Sequence, residues 1–135
     1  MTTISASDVN KLRQMTGAGL MDCKAALAET GGDFESAIDF LRKKGAKIAA
    51  KRADRDATEG AVIAITSADS ASGVIILLSC ETDFVAKNEG FVSFATEIAT
   101  AALSEKPASI EALKTLTVGS VVLESRLLEE VAKIG

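Results

Sequence analysis

Apolar residues recur along this chain with two different periods. From Ser5 to Lys44 they return every three or four positions and are interrupted by glycines, which predicts three short helices. Val9 and Leu12 give the first helix part of an apolar stripe, Ser5 can cap it with Asp8 as the partner of a capping box, and Gly17 and Gly19 end it. The second runs from about Leu20 to Glu29, with Cys23, Ala26 and Leu27 on one face. Gly31 and Gly32 stop it, because glycine accepts the left-handed conformation that closes a helix. Asp33 caps the third, in which Phe34, Ala37, Ile38 and Leu41 follow i, i+3, i+4, i+7 spacing. Arg42, Lys43 and Lys44 stand where cations favour a helix C-terminus, before Gly45.

Beyond residue 58 the period changes. Gly60 to Thr66 alternates weakly and is rich in valine and isoleucine, and Gly73 to Ser79 is a continuous apolar run. Ser67 to Ser72 between them has turn chemistry. This predicts an antiparallel hairpin whose second strand is covered on both faces or lies centrally in a small sheet. Phe91, Phe94, Ala95, Ile98 and Ala102 then repeat at helical spacing and predict a core-facing helix. After Pro107, Ser109 can begin a short helix to Leu113. Val121 to Ile134 reads as a last helix, with Leu123, Leu127, Leu128, Val131 and Ile134 as packing candidates.

Between the two patterns lies Ala46 to Ala57, rich in alanine and carrying Lys47, Lys51, Arg52 and Arg55. It reads either as a solvated helical connector, the favoured reading, or as a contact for RNA or an acidic surface. Four cations without interleaved aromatics do not select the second. The expected organisation is a three-helix domain at 1–45, a basic helical linker at 46–58 and an α+β core at 59–135, in which a small antiparallel sheet packs with helices.

Composition narrows the function classes. The 135 residues are 47% hydrophobic and 25% charged, as in ordinary globular proteins, and the net charge of −4 argues against a general nucleic-acid binder. No apolar run approaches the roughly 20 residues that cross a bilayer, and the polar start lacks the pattern of a signal peptide, so a cytoplasmic location without membrane contact is expected. Cys23 and Cys80 are expected to sit reduced as small buried hydrophobes. The chain has no histidine, which removes the commonest general base, the usual catalytic triad and histidine-containing zinc sites. Gly17 to Lys24 has some likeness to a phosphate loop. It lacks the Gly-Lys-Ser/Thr ending and a preceding strand, and is set aside.

Residues 81 to 91, Glu-Thr-Asp-Phe-Val-Ala-Lys-Asn-Glu-Gly-Phe, put a carboxylate and a ring, Asp83 and Phe84, where a strand hands over to a loop. Functional side chains are common there, because a loop on a rigid scaffold can reach a partner. On spacing alone Asp83 reads equally as a cap for the turn or helix that follows, and Phe84 as a core anchor. Leu20 and Met21 read by pattern as core rather than contact, although adjacent helix positions cannot both face one stripe and one must be exposed.

Two segments carry a resemblance. Leu12 to Leu27, Leu-Arg-Gln-Met-Thr-Gly-Ala-Gly-Leu-Met-Asp-Cys-Lys-Ala-Ala-Leu, closely resembles the N-terminal signature of the bacterial elongation factor Ts family, and Glu81 to Asn88 followed by Phe91 is similar to that family's second diagnostic segment. The likeness runs from about Ile4 to Gly135. It implies a ubiquitin-associated-like three-helix module followed by part of an α+β core, in a family whose members continue well past this point. It also implies an exchange factor, not an enzyme. The partner would be elongation factor Tu, both GDP-bound and nucleotide-free, from which it promotes GDP release. The alternative is an interaction module that binds elongation factor Tu without exchange. Carried over by position, partner contacts fall on Arg13, Leu20, Met21, Thr82, Asp83, Phe84, Val85, Ile134 and Gly135. Phe84 would be a wedge into the G domain near its Mg²⁺ and phosphate region, and Asp83 the polar group that helps set its approach. The resemblance implies no catalytic residue, cofactor or metal of the chain's own and no direct nucleic-acid contact. It admits a homo-oligomer, since family members differ in that respect.

Overall fold

Ser5 opens the first helix, α1 (Ala6–Thr16), by a reciprocal box: its hydroxyl accepts from the Asp8 amide at 3.1 Å, and the Asp8 carboxylate accepts from the Ser5 amide at 3.1 Å. A computed structural model describes residues 3–134. Gly17 closes α1 in the left-handed conformation at φ 69°, and its amide donates to the Arg13 carbonyl. Helix α2 (Leu20–Glu29) follows, then Gly31 and Gly32 at positive φ, then α3 (Phe34–Lys51), capped by Asp33. Val9, Leu12, Cys23, Ala26, Leu27 and Ala37 form the buried centre of this three-helix module, with Phe34, Ile38 and Leu41 packed around it.

The third helix differs from expectation. Helix α3 does not stop before Gly45; it continues to Lys51 and is capped at Arg52, so residues 46–51 extend a helix that the sequence pattern assigned to a connector. Two physical reasons act together. Ala46 to Lys51 has strong helix propensity, and Gly45 is buried at a close approach, where an added Cβ would lie 3.0 Å from the Ala132 Cβ.

The second half contains the predicted hairpin. Strands β1 (Glu59–Thr66) and β2 (Gly73–Cys80) pair antiparallel with Ala61 opposite Leu78 and Ile63 opposite Ile76. A single-turn helix α4 (Asp83–Ala86) leads into α5 (Glu89–Glu105), whose Phe91, Phe94, Ala95, Ile98, Ala99 and Ala102 are buried. Ala61, Cys80, Phe91 and Ala95 form the centre of the hairpin–helix contact, joined by Ile63, Ile76, Leu78, Val85 and Ala86. The hairpin is not covered on both faces. Val62, Ile75 and Leu77 stand exposed on its outer side, so the continuous apolar run of β2 reflects one packed face and one bare apolar face among the described residues.

Helix α6 (Ile110–Lys114) is capped by Ser109, and α7 (Leu123–Ile134) ends the described chain. Between them is a two-residue ladder that the sequence pattern did not separate: β3 (Thr117–Val118) pairs with β4 (Val121–Val122), so Val121 and Val122 are strand and not the start of the last helix. Gly119 at φ 71° makes the tight turn possible.

The fold class is α+β, a three-helix module followed by a small antiparallel sheet packed with helices. By packing, the chain forms two compact units, Met1–Ala53 with Leu127–Gly135, and Asp54–Arg126. They differ from the anticipated 1–45, 46–58 and 59–135 over residues 46–58, which are divided at Ala53 and Asp54 with 46–51 extending α3, and over residues 127–134, which pack with the first unit. No described helix is long and apolar enough to cross a membrane.

The cap of α3 titrates. Hydrogen bonds from the Ser36 side chain and amide hold the Asp33 carboxyl below its ordinary 3.8. A lowered folded pKa means that the cap stabilises fully above pH 3.8 and loses its contribution as pH falls through the lower folded value. Asp33→Asn, which caps without titrating, is expected to flatten the acid-side fall of the thermal midpoint below pH 3.8, followed by circular dichroism. In the second unit, Phe94 is buried and stacked under the Arg126 guanidinium, 4.6 Å from the ring centre. Phe94→Ala is expected to cost about 3–5 kcal/mol in denaturant unfolding.

Candidate functional site

The segment after β2 is held at both ends and displayed in the middle. Cys80 is buried, and its thiol donates to the Thr82 carbonyl at 3.1 Å. Thr82 is extended (φ −130°, ψ 153°), and its hydroxyl accepts from the Val85 amide at 3.4 Å, which makes it the N-cap of α4. Asp83 is therefore the first residue of the helix and not its cap. Its carboxylate accepts from Lys87 Nζ at 3.1 Å, one turn on. The Lys87 amide donates to the Asp83 carbonyl and the Asn88 amide to the Val85 carbonyl, completing the turn. Asn88 then starts α5 by accepting from the Gly90 and Phe91 amides.

This single turn sorts its side chains. Val85 and Ala86 pack into the hairpin core. Successive helical residues are rotated by about 100°, so burying that pair turns Asp83 and Phe84 outward. Phe84 is 82% exposed and is not a core anchor. Full burial of a phenylalanine side chain is worth roughly 1.5–3 kcal/mol, so this ring holds free energy that only an added surface can realise. Arg55 approaches Glu81 at 3.4 Å, an exposed pair of small energetic weight.

In the other unit, Arg13 lies exposed in the last turn of α1, where a cation suits the helix dipole. Leu20 and Met21 open α2, and both are exposed, at 48% and 71%. The pattern's preference for core does not hold for either: Cys23, Ala26 and Leu27 alone form the buried face of α2. Met15, also exposed, joins them at the α1–α2 junction. Sequence reasoning missed it because its spacing from Leu12 is that of a core position, although α1 ends one residue later, at Thr16. Ile134 is 44% exposed on α7, contrary to its reading as a packing residue. Gly135 lies outside the described residues.

Thr82, Asp83, Phe84 and Val85 thus share one turn of the second unit, with Val85 facing the core and the other three exposed. Arg13, Leu20, Met21 and Ile134 belong to the first unit. Two further residues act at the site without having been singled out for it. Cys80 was expected only as a buried hydrophobe, yet its thiol also ties down Thr82, and Lys87 pairs with Asp83. The signal for Lys87 was its i, i+4 spacing from Asp83. No group of three or more His, Cys, Asp or Glu among the described residues is arranged to hold a metal.

Chemically, the second unit offers a rigidly mounted aromatic ring beside a carboxylate, and the first a methionine- and leucine-rich junction. Both are exposed apolar surface that only a further contact would bury. Known proteins share much of this sequence. Residues 81–135 match the family model for elongation factor TS. Proteins named Elongation factor Ts are similar across the chain: that of Amoebophilus asiaticus is 54% identical over 132 residues, covering 98% of this chain and 48% of that protein. That of Flavobacterium psychrophilum is 51% identical over 135 residues, covering 100% and 48%. That of Pelodictyon phaeoclathratiforme is 58% identical over 119 residues, covering 88% and 41%. The chain is thus similar along its length to proteins named Elongation factor Ts, and it spans about half the length of the curated relatives it matches.

Phe84→Ala is expected to leave the unfolding free energy of the second unit within about 0.5 kcal/mol, as for other exposed positions, whereas Val85→Ala should lower it clearly. Denaturant titrations of the two variants check this.

Proposed function

We propose that this chain acts in translation elongation as part of a guanine-nucleotide exchange factor for elongation factor Tu, with Phe84 as the inserted wedge and Asp83 as the polar group beside it. The carrying observation is the display of Phe84: an aromatic ring 82% exposed on a hydrogen-bonded helical turn whose neighbours are fixed in the core. It lies within the stretch that matches the elongation factor TS family. The homologues' shared name supports the place in translation.

Exchange of this kind needs no covalent step. The factor binds the nucleotide-free G protein more tightly than the GDP-bound form, and linkage then requires that GDP bind the complex more weakly by the same factor. A thousandfold acceleration of release corresponds to about 4 kcal/mol off the barrier. Seating one aromatic ring supplies part of that, and disturbance of the region that holds Mg²⁺ and phosphate in the partner supplies the rest. Arg13, Leu20, Met21 and Ile134 would contribute affinity, through apolar contact and one cation. Thr82 acts on the wedge as the cap of its helix, and Val85 as its root in the core. Metal and nucleotide belong to the partner, and the site of action is the cytoplasm, where that partner works.

The test is release of a fluorescent GDP from elongation factor Tu in the presence of this chain, Asp83→Ala, Phe84→Ala and the double variant. The parent is expected to accelerate release and Phe84→Ala to lose most of the acceleration, with Asp83→Ala intermediate. Equal release rates for parent and double variant would remove the wedge assignment. Binding without any acceleration by the parent would instead define an interaction module.

A further inference from the structure

The part of α7 from Leu127 onward packs with the three-helix unit, and it approaches α3 closely at a residue that has no side chain. Gly45 is buried in the interior of α3. A Cβ there would lie 3.0 Å from the Ala132 Cβ and 3.3 Å from the Leu128 carbonyl oxygen, so an alanine needs α7 to give by a few tenths of an ångström. Leu128 and Ala132 are one turn apart and form the face that crosses α3. Arg42 Nε donates to Glu129 Oε1 at 2.9 Å beside the crossing. Lys133 lies along the α1–α2 junction, its Cδ and Cε 3.1 Å from where a Cβ on Gly17 would stand. Ile134 follows Ala132 by two residues, a rotation of about 200°, and faces away from the crossing into solvent.

We infer that Gly45 is a positioning residue for partner binding: the missing side chain lets α7 seat on α3, and that seating sets where Ile134 meets the partner. This rests on the reading of Ile134 as a contact for elongation factor Tu. Gly45 itself would touch nothing in the complex. The sign of its effect separates positioning from simple stability. In a helix interior alanine is favoured over glycine, so Gly45→Ala should strengthen α3 while pushing α7 away.

The experiment measures binding of immobilised nucleotide-free elongation factor Tu by the parent, Gly45→Ala, Ala132→Gly and the swap of both, each with Ile134 and with Ile134→Ala. Helicity is followed by circular dichroism. Gly45→Ala is expected to retain or gain helicity and to weaken binding by about fivefold. The swap, which restores room at the crossing, should return affinity to within about twofold. In the Ile134→Ala background Gly45→Ala should change binding by less than about twofold, the non-additivity of residues acting through one contact. Unchanged binding by Gly45→Ala, an equal loss in the Ile134→Ala background, or no effect of Ile134→Ala alone would each overturn the inference while the partner assignment stands. A parent chain that does not bind elongation factor Tu would overturn the partner assignment itself, and the inference with it.

Discussion

The packing of α5 on one face of the β1–β2 hairpin is the constraint on which the second unit depends. A two-stranded hairpin has too little buried surface to persist alone in water. Here its inner face, Ala61, Ile63, Ile76 and Leu78, is closed by Phe91 and Ala95 of α5. That contact fixes both ends of the segment between strand and helix, since Cys80 ends β2 inside the core and Phe91 enters α5 inside it. The seven residues from Glu81 to Lys87 have little freedom left. With Val85 and Ala86 drawn inward to the same core, the geometry of a single turn puts Asp83 and Phe84 outside. The exposed ring is thus a consequence of core packing and not of a loose loop.

Much of this was legible in the sequence. The capping residues Ser5, Asp33 and Ser109 start their helices as expected, and the five apolar positions from Phe91 to Ala102 are all buried. Those signals are local: a hydroxyl or carboxylate next to free amides, or a period of three and four. The segment at Asp83 was legible as a place but not as a shape. Whether Thr82 or Asp83 caps the turn depends on which backbone amide each side chain can reach, and that is settled by where Cys80 leaves the sheet. The exposure of Leu20 and Met21 was likewise beyond local pattern. Nothing in their own spacing states that Cys23, Ala26 and Leu27 complete the face of α2 without them.

Glycine shows the limit most plainly. Gly17 and Gly45 both come after amphipathic helical stretches, and each reads as a stop. Gly17 is one, at φ 69°, because no other residue takes the left-handed cap so readily. Gly45 is not, because its role is set by Ala132, which is remote in the chain and adjacent in space. A close approach and a helix end leave the same letter in the sequence. Only the neighbouring residues distinguish the two, and the alanine-rich run after Gly45 favours continuation. The β3–β4 ladder was missed for a related reason: two residues per strand are too few to establish a period, and only Gly119 marked the turn.

For a protein that acts by inserting a side chain, the rigidity of the mount decides how much of the contact energy survives as binding. Ordering one backbone residue costs roughly 1–2 kcal/mol. If Glu81 to Lys87 were a disordered loop, closing it on a partner would consume several times the roughly 1.5–3 kcal/mol that burial of one phenylalanine returns. The hydrogen bonds of Thr82, Asp83 and Val85, together with the thiol of Cys80, mean that this ordering has already occurred on folding. On the proposed reading, the ring would then deliver nearly its whole transfer free energy to a complex, at a position set by the hairpin core. A change that loosens the turn without touching Phe84 would therefore weaken docking as surely as removing the ring, because the same free energy would be spent on restoring the turn.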